Sequence, residues 1–130
     1  MLGRPLESRW RKDTFAVPDM AQNIRDFVIG RYRSVYGKGP KDVYVRIFKN
    51  MVILRVQGIL TPMERYALAQ EQNCIELVKP LRQKVFSLMQ PDIIFKIEET
   101  TGTKVIQVCS EILWERDEQY CMIVLNQDIR

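Results

Sequence analysis

The chain has 130 residues, enough for one domain, and its 46% apolar content is enough to bury a single core. It contains no histidine, which removes the commonest general base and transition-metal ligand, and with them Ser/His, Cys/His and zinc-hydrolase mechanisms. The net charge of +4 hides an asymmetry: residues 1–60 carry 12 Lys/Arg against 5 Asp/Glu, and residues 61–130 carry 8 against 11. A basic half beside an acidic half favours an anionic partner or contacts between copies.

No apolar run approaches the roughly 20 residues that span a bilayer. The start, MLGRPLESRWRKD, lacks the apolar middle of a signal peptide. A cytoplasmic protein without a transmembrane segment is expected. Cys74, Cys109 and Cys121 are odd in number, widely spaced and free of any CxxC pair, which points to buried free thiols.

Residues 1–17 mix arginines, glycine and proline without a period and read as a flexible basic arm, with a single α+β domain over 18–130. Pro18-Asp19 resembles a helix start, with Asp19 as cap and Gln22 reaching back to it. Met20, Ile24, Phe27, Val28 and Val35 recur at helical spacing, predicting a helix over about 20–36. Gly37 suits the left-handed position past a helix end, and Pro40 follows as a stop. DVYVRIF and MVILRVQ, separated by Lys49-Asn50, then pair in a hairpin that sets Val45 against Leu54 and Ile47 against Val52.

Thr61, Pro62 and Glu64 match a capping box with proline at the first helical position, predicting a helix to about residue 72. Val78, Leu81, Val85 and Leu88 form the next apolar stripe, where Pro80 predicts a kink or a helix start. Pro91 marks a further break before a last helical piece ending at Thr101-Gly102. KVIQVCSEIL and YCMIVLN close the chain as two strands joined by the acidic loop Trp114–Gln119. Two hairpins with two to three helices between them predict an α+β fold, one antiparallel sheet covered by helices on one face.

Among candidate sites, YGKGPK offers glycine amides beside Lys38 and Lys41. However, a helix precedes the loop and a strand follows it, the reverse of a phosphate-binding P-loop. A structural turn is the favoured reading; a small-anion or partner site built from Gly37, Lys38, Gly39, Lys41, Arg46 and Arg82 is the alternative. Interleaved basic and aromatic residues in RYRSVYGKGPKDVYVR leave nucleic-acid binding as a second alternative. Glu111, Glu115, Asp117 and Glu118 lack the spacing of a calcium loop and read as a solvated hairpin loop, so no metal is expected. Asp19, Pro40, Thr61, Glu64 and Gly102 take structural roles. Arg82 faces either Glu76 or an anion. No catalytic residue and no cofactor are expected.

The ordered set YGKGP (36–40), GILTPMERYAL (58–68), ELVKPLRQKVF (76–86) and TGTKVIQVCSEI (101–112) resembles the MpsC-like domain family of small bacterial proteins. The resemblance covers about residues 20–126 and rests on Gly37, Lys38, Gly39, Pro40, Leu60, Thr61, Glu64, Arg82, Gly102 and Val105. Pro80 and Ser110 depart from the family pattern, which has continuous helix and an acidic residue there. The resemblance implies a non-enzymatic accessory protein of a sodium-translocating, membrane-potential-generating or bicarbonate-uptake system. It also implies that the protein sits at the inner face of the membrane beside a transporter subunit. A homodimer is expected from the opposite charges of the two halves and the apolar helix stripe.

Overall fold

The computed structural model describes the backbone of residues 5–129 and the side chains from residue 17 onward. Helix α1 (Pro5–Tyr36) leads into the strands β1 (Asp42–Phe48) and β2 (Met51–Gln57). Helix α2 (Pro62–Gln70), a 3₁₀ turn at Gln72–Cys74 and the long helix α3 (Ile75–Thr101) follow. Strand β3 (Val105–Leu113), a 3₁₀ turn at Trp114–Arg116 and strand β4 (Glu118–Leu125) complete the order. The strands form one four-stranded antiparallel sheet in the order β1-β2-β4-β3, the expected α+β arrangement.

Alternation along the strands sorts the sheet into two faces. Val43, Val45, Val52, Leu54, Val56, Cys121, Ile123 and Leu125 are buried against Ile24, Val28 and Tyr32 of α1 and Met89, Ile93 and Ile97 of α3. Tyr44, Phe48, Ile53 and Met122 point the other way and stay exposed. The first hairpin has the expected register, with Val45 opposite Leu54, Ile47 opposite Val52 and Phe48 opposite Met51. Lys49 makes the tight turn possible by adopting a positive φ of 56°. No helix among the described residues is long and apolar enough to cross a membrane.

The helices depart from expectation in four ways. First, α1 continues N-terminally past residue 20, with Pro18 inside it, so Asp19 is not a cap. Gln22 instead donates to Asp26 Oδ1 at 2.8 Å, one turn on. The side chains of the expected basic arm lie, up to residue 16, outside the described residues. Second, Val35 faces outward, and only Ile24, Val28 and Tyr32 reach the core's centre.

Third, α3 runs unbroken through Pro80 and Pro91. Each proline lacks the backbone donor of a helical residue, and both sit on the exposed side of the helix. Fourth, the expected apolar stripe of α3 is not its core face: Val78 and Val85 are only half-buried, and Leu81 and Leu88 point outward. Arg82, Met89, Ile93 and Ile97 are buried, while Leu81 and Leu88 are 60% and 67% exposed. The helix carries two apolar faces, and the sheet covers the one that also bears Arg82. Gly102 ends α3 as expected, at φ 72°, its amide donating to Glu98 O at 2.9 Å.

The thiols also differ from expectation. Cys121 is buried, but Cys109 is exposed and Cys74 half-buried. Burial pushes the Cys121 thiol up to about 11, so it stays protonated and unreactive at neutral pH.

Candidate functional site

Three of the four motifs quoted above converge where α1 ends, β2 turns into α2 and α3 begins, whereas TGTKVIQVCSEI starts at the far end of α3 and forms β3. Gly37, at φ 80°, lets the chain leave α1 while its amide donates to Arg33 O at 3.0 Å. A Cβ on Gly39 would sit 3.3 Å from Arg33 Nη2, so the loop passes close to that side chain. Lys41 then donates its amide to Gln57 O at 2.7 Å and extends the first hairpin by one rung.

Lys38 does not point into an anion cradle. Its Nζ donates to Gly58 O at 3.2 Å and Leu60 O at 3.4 Å. Between those two carbonyls, Ile59 O accepts from Arg82 Nη2. Two cations from distant parts of the chain therefore hold three successive carbonyls of the β2–α2 connector. A connector that runs inward needs such donors, because buried carbonyls are costly when left without them.

The same connector begins α2. Thr61 Oγ1 accepts from Glu64 N at 3.2 Å, and Glu64 Oε1 accepts from Thr61 N at 2.8 Å, completing the expected capping box. Glu64 then grips Arg82 with both oxygens, taking Nη2 at 2.7 Å on Oε1 and Nε at 3.0 Å on Oε2. Bidentate geometry of this kind is the strong form of an ion pair. Tyr36 covers the guanidinium, its ring centroid 3.9 Å from Arg82 Cζ. The side chain of Arg82 is 1% exposed.

Burial pushes the Glu64 carboxyl up, but the bonds from Arg82 and Thr61 outweigh that and hold its pKa below the usual carboxylate range. Burial likewise pushes Tyr36 upward, so it stays neutral. Arg82 thus pairs with Glu64 rather than with Glu76.

The remaining candidates lie apart. The side chains of Lys41 and Arg46 are exposed, with Arg46 on the outer face of the sheet. The basic, aromatic run does not form one surface: Tyr32 is buried, Tyr36 covers Arg82, and Tyr44 lies on the outer sheet face. Arg31 is paired with Asp92 of α3 at 3.0 Å. Glu64, Lys38 and Arg82 do meet at one connector, where the polar contacts they make are to their own chain, while Arg82 Nη1 is buried without a hydrogen-bond partner among the described residues. Among the described residues no three acidic or thiol side chains cluster where they could hold a metal.

Four important residues gave little or no signal in the sequence. Gly58, at φ 70°, packs so tightly that a Cβ would stand 2.6 Å from Lys41 Cβ and 3.0 Å from Lys41 N. Asp117 is left-handed at φ 55°, and its carboxylate accepts from Leu60 N and Arg65 Nη2, both at 2.8 Å. Gln119 is buried, accepting from Tyr32 OH and donating to Ser110 Oγ at 2.9 Å. Glu118, expected in a solvated loop, is buried and accepts from Gln57 at 2.8 Å, Tyr120 at 2.8 Å, Arg55 at 2.9 Å and Arg116 at 3.4 Å. Asp117 and Glu118 are therefore internal acceptors, while Glu111 and Glu115 stay exposed as expected.

The bonds from Gln57, Tyr120 and Arg55 hold Glu118 at about 2, against an ordinary 4.5. A carboxyl depressed in the folded state stabilises the fold above its unfolded value, and that contribution is lost as pH falls through the folded one. Unfolding free energy measured from pH 6 downward should therefore decline between about pH 4.5 and 2, and Glu118→Gln should flatten that part of the profile. An unchanged slope in Glu118→Gln would remove Glu118 as the cause.

A four-stranded antiparallel sheet with its helices on one face, locked by a buried arginine at a helix cap, defines the class as a small α+β domain. The profile of the family described as "Na+-translocating membrane potential-generating system (MpsC)" matches residues 18–127. The chain belongs to that family. Comparison with curated proteins and with solved structures gave no match.

Proposed function

We propose that the protein is a non-enzymatic, soluble accessory module of a membrane cation-translocating or bicarbonate-uptake system. In this reading it works as a cytoplasmic homodimer at the inner face of the membrane. Family membership supports the sodium-translocating, membrane-potential context. The observation that carries the rest is the internal use of Lys38, Glu64 and Arg82, which hold the connector and helix cap together. What the molecule offers outward is surface: Met63, Tyr66, Leu77, Leu88 and Phe95 on the helices, and Phe48 on the sheet, are each more than 60% exposed. Large apolar side chains left outside at this density mark contact surfaces.

The test is in-cell crosslinking of tagged protein, followed by isolation of membranes and identification of what is attached. The reading expects an integral membrane subunit of the ion-transport system, and fails if the protein is recovered free of that subunit.

A further inference from the structure

The outward face of α3 has a period that the core does not use. Leu77, Leu81, Leu88 and Phe95 are 77%, 60%, 67% and 65% exposed. Their spacings of four, seven and seven residues place all four within about 40° of one another around the helix, about 140° from the buried Arg82, Met89, Ile93 and Ile97. At 1.5 Å per residue the stripe is about 27 Å long. Positions spaced in this way lie along the seam of a helix pair, with Lys84 and Pro91 at the intervening positions, and among the described residues nothing covers this one.

We infer that this face binds the same face of a second copy, with the two α3 helices antiparallel and the two-fold axis at Leu88. The commitment to a second copy comes from the order of residues along the stripe. An axis at Leu88 sets Leu88 against the partner's Leu88 and Leu81 against the partner's Phe95. It also sets Lys84 against the partner's Asp92, opposite charges across the seam, and a two-fold repeats each match. Asp92 keeps one oxygen on Arg31 Nη2 at 3.0 Å and is 57% exposed, which leaves the other for Lys84. A parallel pairing would put Lys84 against Lys84 and Asp92 against Asp92.

The inference rests on the homodimer proposed above and gives it an interface. It is tested with the full chain in three forms: wild type, Leu88→Glu, and cysteine variants in a Cys109→Ser background. Sedimentation equilibrium at micromolar concentration should give a dimer for wild type. Leu88→Glu, a change at an exposed position, should give a folded monomer with unchanged circular dichroism.

Leu88→Cys should oxidise to a disulfide-linked dimer, because its Cα atoms meet at the axis within the roughly 7 Å that a disulfide needs. Leu77→Cys should not, since its two copies would lie about 33 Å apart in the antiparallel pair. A monomeric wild type overturns both the dimer and the interface. A dimer that survives Leu88→Glu, or that crosslinks through Leu77→Cys as readily as through Leu88→Cys, overturns the interface and leaves the homodimer standing.

Discussion

Arg82→Ala is expected to cost about 3–5 kcal/mol, the range for removing one partner of a buried ion pair. The loss has two parts. Glu64 keeps a carboxylate, 12% exposed, without its counter-charge, and Ile59 O loses its donor. A domain of this size is stable by about 5–15 kcal/mol, so the variant sits near the edge of folding. Urea unfolding followed by circular dichroism measures the change. Gln83→Ala, one residue later and exposed outside the proposed seam, should stay within about 0.5 kcal/mol.

The double variant Arg82→Met with Glu64→Leu separates the causes. If the penalty comes from an unpaired charge, replacing both partners should recover part of the stability lost in Arg82→Ala. A single-variant loss below about 1 kcal/mol would mean that the pair is not the connection holding α2 to α3.

Gly58→Ala is the second large effect, at about 3–5 kcal/mol, the sum of left-handed strain and overpacking. The Cβ would meet the backbone and Cβ of Lys41, which cannot swing aside as the end of a flexible side chain could. Gly102→Ala provides the control. Gly102 has nearly the same φ, 72° against 70°, but open space around the position. It should cost about 1 kcal/mol, the strain alone. Equal losses in the two variants would show that the close approach to Lys41 carries no weight.

Local rules made much of the fold legible. The hairpin register followed from alternation about Lys49-Asn50, since a slip of one residue would turn every valine of β1 outward. The start of α2 followed from Thr61, Pro62 and Glu64, whose bonds span only three residues. Gly37 and Gly102 announced helix ends because a left-handed position selects glycine.

What could not be read depended on distant partners. Helix α3 is apolar on two sides, and periodicity alone picked the Leu81–Leu88 face; the choice was made by the sheet and by Glu64 meeting Arg82. Asp19 looked like a cap because proline beside an acidic residue often starts a helix, yet Pro18 is accommodated within α1. Glu118 and Asp117 looked solvated because four of their six donors, Arg55, Gln57, Leu60 and Arg65, are far away in sequence. Lys38 and Arg82 were candidates for an anion, but what they hold is the carbonyls of Gly58, Ile59 and Leu60.

The central claim is that Lys38, Glu64 and Arg82 form an internal clasp on the connector from Gly58 to Leu60, and that the protein acts through its surfaces. Native mass spectrometry of protein purified gently from its own cells tests it most directly. The account predicts a dimer with no small added mass, retaining the membrane subunit when crosslinked beforehand. A reproducible small-anion adduct that disappears in Lys38→Gln would contradict it and make the loop at Gly37–Pro40 a ligand site.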